Sequence, residues 1–290
     1  MGLKYAAVGH ITIDEFGDHL RIGGGVSYGS VFVAGLGVRA TAVSRIGSDM
    51  PDELLSYLRY EGVDTSRVRR TCERTTRFVI RREKGLSCPT LLASRCSDIE
   101  VEDLSGLRVD VIHLSPVAGE VGREVVAEAI ELSEVVVLDL QGVLRVFRED
   151  GVYLSGEQLH RFLGIDLAVH LNLEEAVAAT GKLNSIECLK ELSKYFKVVS
   201  ISLGSEGALF SFPDGSLKAS APKVEALDDV GAGDVFTAAL GIALVRDMGP
   251  EEAARFSVAS ATASTLEEGP RRVEVDKISS LEGKVSLQWI

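Results

Sequence analysis

The sequence predicts an α/β domain with a mostly parallel sheet covered by helices on both faces, and three observations carry that prediction. Apolar, strand-like runs alternate with segments of helical spacing along most of the chain. Two adjacent strand-like runs within 74–97 interrupt the alternation, which marks an antiparallel excursion from the main sheet. The 290 residues are 46% hydrophobic and 26% charged, enough for a sizeable core in an ordinary globular composition. With no repeat, low-complexity tract or linker, residues 1–290 read as one continuous domain.

Taken in order, Tyr5 to Gly9 is a buried strand leading into Ile11 to Asp14. A turn at Gly23-Gly24-Gly25 opens a small-residue helix, Ser27 to Leu36, closed by Gly37. Ala40 to Val43 is the next strand, and Pro51 to Tyr60 has helical spacing behind Asp49 as an expected N-cap. Arg77 to Arg81 and Leu91 to Ala93 read as strands joined by a charged turn at Glu83-Lys84-Gly85. Strands then follow at Val109 to Leu114, Val135 to Leu140, Ala168 to Leu171, Val198 to Leu203 and Ala208 to Phe212. Between and after them, helices are expected at Gly122 to Leu132, Glu157 to Leu163 and Glu174 to Thr180, and from Ala232 and Glu251.

Composition narrows the function classes. A net charge of -12 speaks against nucleic acid and anionic membranes as partners, while leaving local anion sites open. No apolar run is long enough for a membrane span. Met1-Gly2-Leu3-Lys4-Tyr5 leads straight into a strand, so no signal peptide is read and a cytoplasmic protein is expected. Cys72, Cys88, Cys96 and Cys188 lack metal-ligand spacing; Cys88 and Cys96 are close enough in sequence for a hairpin disulfide, which spacing alone leaves open. Two Asn and three Gln beside many Arg and Glu make a thermophile-like composition.

The chemistry concentrates at Asp228-Asp229-Val230-Gly231-Ala232-Gly233-Asp234, which runs into an apolar helix. The amides of Gly231, Ala232 and Gly233 at the positive end of that helix make an anion site. Asp234 stands beside it, placed to take a proton from a hydroxyl attacking a phosphoryl group. A plain helix N-terminal acid after an ordinary glycine turn is the bland reading.

This turn resembles the C-terminal pattern Asp-Thr-x-Gly-Ala-Gly-Asp of the ribokinase family, the pfkB-type carbohydrate kinases, with Asp229 in place of Thr. Other motifs follow in family order: Gly23-Gly24 with its small-residue helix, Ile46-Gly47-Ser48-Asp49, Glu61-Gly62-Val63-Asp64-Thr65, Asn172-Leu173-Glu174-Glu175, and Ser202 to Gly207. The resemblance implies a ribokinase-like three-layer α/β/α fold with a small antiparallel β lid from about 11–25 and 74–97. It also implies transfer of the ATP γ-phosphate to a sugar or polyol hydroxyl.

By that resemblance Asp234 is the catalytic base and Gly231, Ala232 and Gly233 stabilise the transferring charge. Thr12, Asp14, Gly23, Gly24, Tyr28, Gln141 and Arg145 are placed at the acceptor. Thr12 and Tyr28 stand where many ribokinases carry Asn. Ser202, Gly204, Gly207, Gly231 and Gly233 are placed at the nucleotide, with 261–269 lining the adenine pocket. Asn172 and Glu175 order Mg2+, or form a capping box, and the two roles are compatible. Asp228 is the candidate for a monovalent cation. Asp139 to Arg145 and Gly119-Glu120 are similar to segments of myo-inositol kinases, which makes inositol the leading acceptor; Arg145 would bind a phosphate, pair with a carboxylate or form a surface ion pair. Pairing of two copies through the lid is a further expectation.

The competing readings are a ribose or nucleoside kinase and a non-catalytic ligand-binding protein of the same fold. A nicotinamide-dependent oxidoreductase is disfavoured, because Gly9-His10-Ile11-Thr12 offers no GxGxxG opening a helix, and His10 then reads as a loop or core histidine.

Overall fold

A computed structural model describes the chain over residues 2–83 and 86–290; the side chains of 82–89 lie outside that description. Strand β1 (Lys4–Val8) enters the core directly, followed by the hairpin β2 (Thr12–Phe16) and β3 (His19–Gly23). Helix α1 (Gly25–Gly35) leads to β4 (Arg39–Gly47), α2 (Asp52–Tyr60) and β5 (Asp64–Cys72). A second hairpin, β6 (Arg77–Glu83) and β7 (Leu86–Ser94), precedes the short α3 (Val101–Leu104). Alternation resumes with β8 (Val111–Leu114), α4 (Arg123–Leu132), β9 (Val135–Asp139) and the one-turn α5 (Gln141–Leu144). A small hairpin, β10 (Arg145–Arg148) and β11 (Gly151–Leu154), comes before β12 (Ala168–Asn172) and α6 (Leu173–Thr180). Then follow α7 (Ser185–Leu192), β13 (Val198–Ser202), β14 (Ala208–Phe212) and β15 (Gly215–Ser220). Helices α8 (Ala232–Val245), α9 (Pro250–Ser264) and α10 (Val275–Glu282) lead to β16 (Ser286–Trp289).

Ten strands form the central sheet in the order β16-β15-β14-β13-β12-β9-β8-β1-β4-β5, parallel from β13 through β5. Strands β14 to β16 extend it antiparallel. Its middle strands are apolar on both faces because both faces are covered. In β1, Tyr5 and Ala7 pack into one core with α1, α8 and α9, while Ala6 and Val8 pack into the other. Helix α8 is buried nearly all round, and a Cβ at Gly241 would press on Val111 and Val137, so this glycine lets the helix lie close on β8 and β9.

A separate four-stranded sheet, ordered β3-β2-β6-β7, stands beside the central one. Both of its hairpins are antiparallel and its middle pair, β2 and β6, runs parallel. Among the described residues no helix is long and apolar enough to cross a membrane.

Three expectations need correction, and one falls partly outside the described residues. Asp49 does not cap α2: Pro51 holds the N-cap position, and Asp49 accepts from the Thr75 amide and hydroxyl at 2.7 and 2.8 Å. In place of a helix over Glu157 to Leu163 there is a 3₁₀ turn at Leu159–Arg161. In the expected turn at Glu83-Lys84-Gly85, Lys84 and Gly85 lie outside the described residues.

Cys96 bonds to Cys72, not to Cys88, closing a separation of 24 residues. Cys88 lies within β7 and Cys96 just past its end, so extended chain at about 3.3 Å per residue holds them roughly 25 Å apart. The bond ties the end of β5 to the exit of the four-stranded sheet. Disulfides are frequent inside cells of hyperthermophiles, which agrees with the amide-poor composition. Cys72→Ser is expected to lower the unfolding free energy by about 3 kcal/mol, the loop-closure value for such a loop. Denaturant unfolding with and without reductant checks it: parent and variant should coincide only once the parent is reduced.

Candidate active site

The anion turn takes the shape its glycines allow. Gly231 sits at φ 80°, ψ 0° as the N-cap of α8, and a Cβ there would overlap the Tyr28 ring. Only glycine meets both demands at once. The Ala232 amide turns to the Asp229 carbonyl at 3.4 Å, so the opening of α8 is left chiefly to the amides beyond it. A second helix start faces the same point: a Cβ at Gly25, the first residue of α1, would overlap Ser115 Oγ and the Asp234 carboxylate.

Asp234 is held from several sides. Gln141 Nε2 donates to its Oδ1 at 3.0 Å, and Ser115 Oγ does so at 3.5 Å. Burial pushes its carboxyl from 3.8 up to about 7, and the charge of Asp139 adds to this, against Arg145, Gln141 and His170. A proton acceptor poised near neutrality is the state general-base chemistry needs.

Beyond Asp234 opens a cavity of about 150 Å³, bounded by Thr12, Asp14, Gly24, Tyr28, Gln141, Arg145 and the 229–231 turn, with Phe78, Ile80 and Val117 as its apolar wall. Thr12 Oγ1 donates to Asp14 Oδ1 at 2.7 Å. Burial raises the Asp14 carboxyl to about 6, opposed by Thr12, Arg145 and Arg21. A Cβ at Gly23 would overlap Asp14 and Thr12, and one at Gly24, at φ 81°, would overlap the His10 carbonyl, so both glycines let the hairpin fold back on the site. The Tyr28 hydroxyl is buried beside Arg21, and burial drives its pKa far above the usual value. Thus Thr12, Asp14, Gly24, Tyr28, Gln141, Arg145, Gly231 and Asp234 line one cavity, while Gly23, expected with them, is not part of its lining.

Asn172 and Glu175 close a capping box at the start of α6: each side chain accepts the other's amide at 2.9 Å. Glu175 is buried, and burial followed by Asp139 raises its carboxyl above the ordinary value. Among the described residues no group of three His, Cys, Asp or Glu could hold a metal directly. The one carboxylate fits an ion that keeps most of its water and takes its other oxygens from phosphates. Ser202 ends β13, and the 3₁₀ turn Gly204–Glu206 follows on the same side of the sheet. Gly207, at φ 106°, has a structural reason of its own, since a Cβ would overlap the Ala219 carbonyl.

Asp228 accepts from the Val230 and Gly269 amides at 3.2 and 3.1 Å and pairs with Arg21, whose other nitrogen meets Glu268 at 2.5 Å. The carboxylate expected to hold a monovalent cation therefore already faces a guanidinium.

Motif reading missed a buried polar cluster beneath the turn. His170 Nδ1 lies 3.5 Å from Asp139 Oδ2, and Tyr5 Oη is 2.7 Å from His113 Nδ1. Burial brings His113 down to about 4, so it is neutral. A histidine inside each of the apolar strand runs at 111–114 and 168–172 was the available signal. Glu120 was noted only for its likeness to a family segment; fully buried, it accepts the amides of His10, Val117 and Ala118 at 2.7 to 3.1 Å.

Residues 147–277 match the family model described as pfkB family carbohydrate kinase. Over 90 residues the chain is 33% identical to the ATP-dependent 6-phosphofructokinase isozyme 2 of Escherichia coli (strain K12), covering 31% of this chain and 29% of that protein. The match thus spans under a third of that relative's length. Similarity to the ribokinase of Staphylococcus aureus (strain COL) is longer, at 25% identity over 81% of this chain and 79% of the relative. Among solved structures, a pyrophosphate-dependent kinase in the ribokinase family, complexed with a pyrophosphate analog and myo-inositol, superposes with a TM-score of 0.79 at 21% identity, covering 95% of this chain and 99% of that one. At that identity the likeness speaks for the fold, which is ribokinase-like.

Proposed function

We propose, from the match of residues 147–277 to the pfkB family carbohydrate kinase model, that this chain transfers a phosphoryl group to a hydroxyl of a neutral polyol, with myo-inositol as leading acceptor and ATP as donor. The observation that carries this reading is that Asp234 and Asp14 line one small polar cavity at the start of α8. Asp234 takes the proton of the attacking hydroxyl. The first-turn amides of α8 face the charge that develops on the transferred group. Asp14 and Thr12 hold the acceptor's other hydroxyls, since a carboxylate accepts from two neighbouring OH groups.

Charge argues for a neutral acceptor over a sugar phosphate. Among the described residues, three carboxylates, Asp14, Asp229 and Asp234, line the cavity against Arg145 alone. That guanidinium already donates to the Val117 carbonyl and to Gln141. Asn172 and Glu175 would hold Mg2+ through its water, and the ion would neutralise donor phosphates. Ser202, Gly204 and Gly207 remain the proposed nucleotide side, and the four-stranded sheet the lid that excludes water from the transfer.

The test pairs ATP or pyrophosphate, each with Mg2+, with myo-inositol, ribose, a nucleoside or fructose 6-phosphate, and follows release of ADP or phosphate. Myo-inositol with ATP is expected to give the highest kcat/KM. Turnover with pyrophosphate alone would move the donor assignment, and preference for ribose or a nucleoside would move the acceptor. If no pair exceeds background hydrolysis, a ligand-binding protein of the same fold is the better reading. Asp14→Asn is expected to raise the acceptor KM about tenfold or more, as for loss of charged hydrogen bonds, with a smaller change in kcat.

A further inference from the structure

Gln141 opens α5, and its side chain is engaged at both ends. Its Nε2 donates to Asp234 Oδ1 at 3.0 Å, and its Oε1 accepts from Arg145 Nη2 at 2.7 Å. An arginine has only donors, so the amide oxygen must face Arg145 and the NH₂ must face Asp234. Arg145 is fixed in turn. Its Nη1 donates to the Val117 carbonyl at 3.3 Å, and its guanidinium lies 5.8 Å from the centre of the Phe78 ring on β6. The Val117 backbone is pinned by the buried Glu120, which also takes the His10 amide just ahead of β2.

We infer that Gln141 and Arg145 form a positioning relay for Asp234 and do not serve chiefly as grips on the acceptor. The relay occupies Oδ1 and leaves Oδ2 to receive the proton. It starts from groups tied to the four-stranded sheet: Phe78 on β6, and the loop that Glu120 fastens to the entry of β2. The inference rests on Asp234 being the base. Other charged groups around Asp234 are Asp139 on β9, His170 on β12 and Arg145 on β10, with the Tyr5 phenol on β1 below and Asp14 and Asp229 across the cavity. Gln141 itself does not titrate, so replacing it changes a hydrogen bond and no charge.

The experiment compares kcat and acceptor KM against pH for the parent, Gln141→Leu, Arg145→Met, their double variant and Asp234→Asn, with circular dichroism and Tm confirming the fold. Losing a donor to the carboxylate disfavours its charged form. Gln141→Leu should therefore move the acid limb of kcat upward by about half to one pH unit and lower kcat on the plateau about tenfold, with KM within about twofold. Arg145→Met frees the amide to turn, so it should lower kcat without a matching rise in KM. In the double variant the two effects should be smaller than their product. Gln141→Asn, too short to span both partners, should resemble Leu.

Raised KM with an unmoved limb, or fully multiplicative effects, would overturn the relay and return both residues to acceptor binding. Asp234→Asn separates this from failure of the underlying reading. If that variant keeps parental turnover, the base assignment falls; if it is inactive while Gln141→Leu shows an unmoved limb, only the relay falls. A variant with lowered Tm is replaced by Gln141→Met, which keeps side-chain length, and the limb is read again.

Discussion

Asp234→Asn is expected to lower kcat by about 10³-fold or more while acceptor binding is largely kept, as for removal of a positioned general base. The same variant should be more stable than the parent above neutrality. In the folded protein the carboxyl titrates near 7, against an ordinary value of 3.8. Below about 3.8 the group is protonated in both states and contributes nothing. Between 3.8 and 7 the unfolded chain ionises while the folded one holds its proton, so stability falls as pH rises and levels off above 7. The full cost has a ceiling of about 4 kcal/mol, reduced by water in the cavity that reaches the carboxylate. An amide escapes it. Thermal unfolding of both proteins at pH 4 and pH 8 should give matching Tm values at the lower pH and a higher Tm for the variant at the upper. A merely structural Asp234 would instead leave activity near parental and lower the variant's Tm at pH 8.

Gly231→Ala should damage stability and turnover together. It forces a side chain onto a left-handed N-cap and drives it into the Tyr28 ring. Backbone strain and overlap together are expected to cost about 2–4 kcal/mol of stability. Displacing the first-turn amides should lower kcat by about 10²–10³-fold, the scale for loss of a preorganised donor. Gly231→Ala with Tyr28→Ala relieves the overlap but not the strain. The double variant should therefore regain part of the stability and little of kcat. Complete recovery of kcat would mean that the turn's conformation does not matter to the chemistry.

The elements legible in the sequence are those whose signal is local. Strands β1, β8, β9, β12 and β13 are short apolar runs, and α8 is an unbroken apolar helix behind a glycine turn. Strand β5 escaped notice because its residues, Asp-Thr-Ser-Arg-Val-Arg-Arg-Thr-Cys, show no alternation, as suits a half-exposed strand at the sheet edge. The hairpin β10–β11 has four residues a side and gains its stability by packing on the four-stranded sheet, a contact without local trace. Asp49 has the composition of an N-cap, but Thr75, 26 residues further on, offered it two donors at once.

The glycine-framed turn before Asp234 was legible by itself, since only glycine tolerates the left-handed start of α8 and only an apolar helix fits between β8, β9 and its neighbours. Taken alone, its residues leave an anion site with a base beside it and a plain helix start both open; the motifs elsewhere in the chain make Asp234 the proposed base. What surrounds that base was decided in three dimensions. Hydrogen-bond partners 93 and 119 residues away orient its carboxylate. The buried Asp139 helps lift its pKa. Arg145, open in the sequence to binding a phosphate, donates to Gln141 and the Val117 carbonyl. Residue type fixes what a group can do, but desolvation and the partners that reach it depend on segments far apart in the chain, and only folding brings those together.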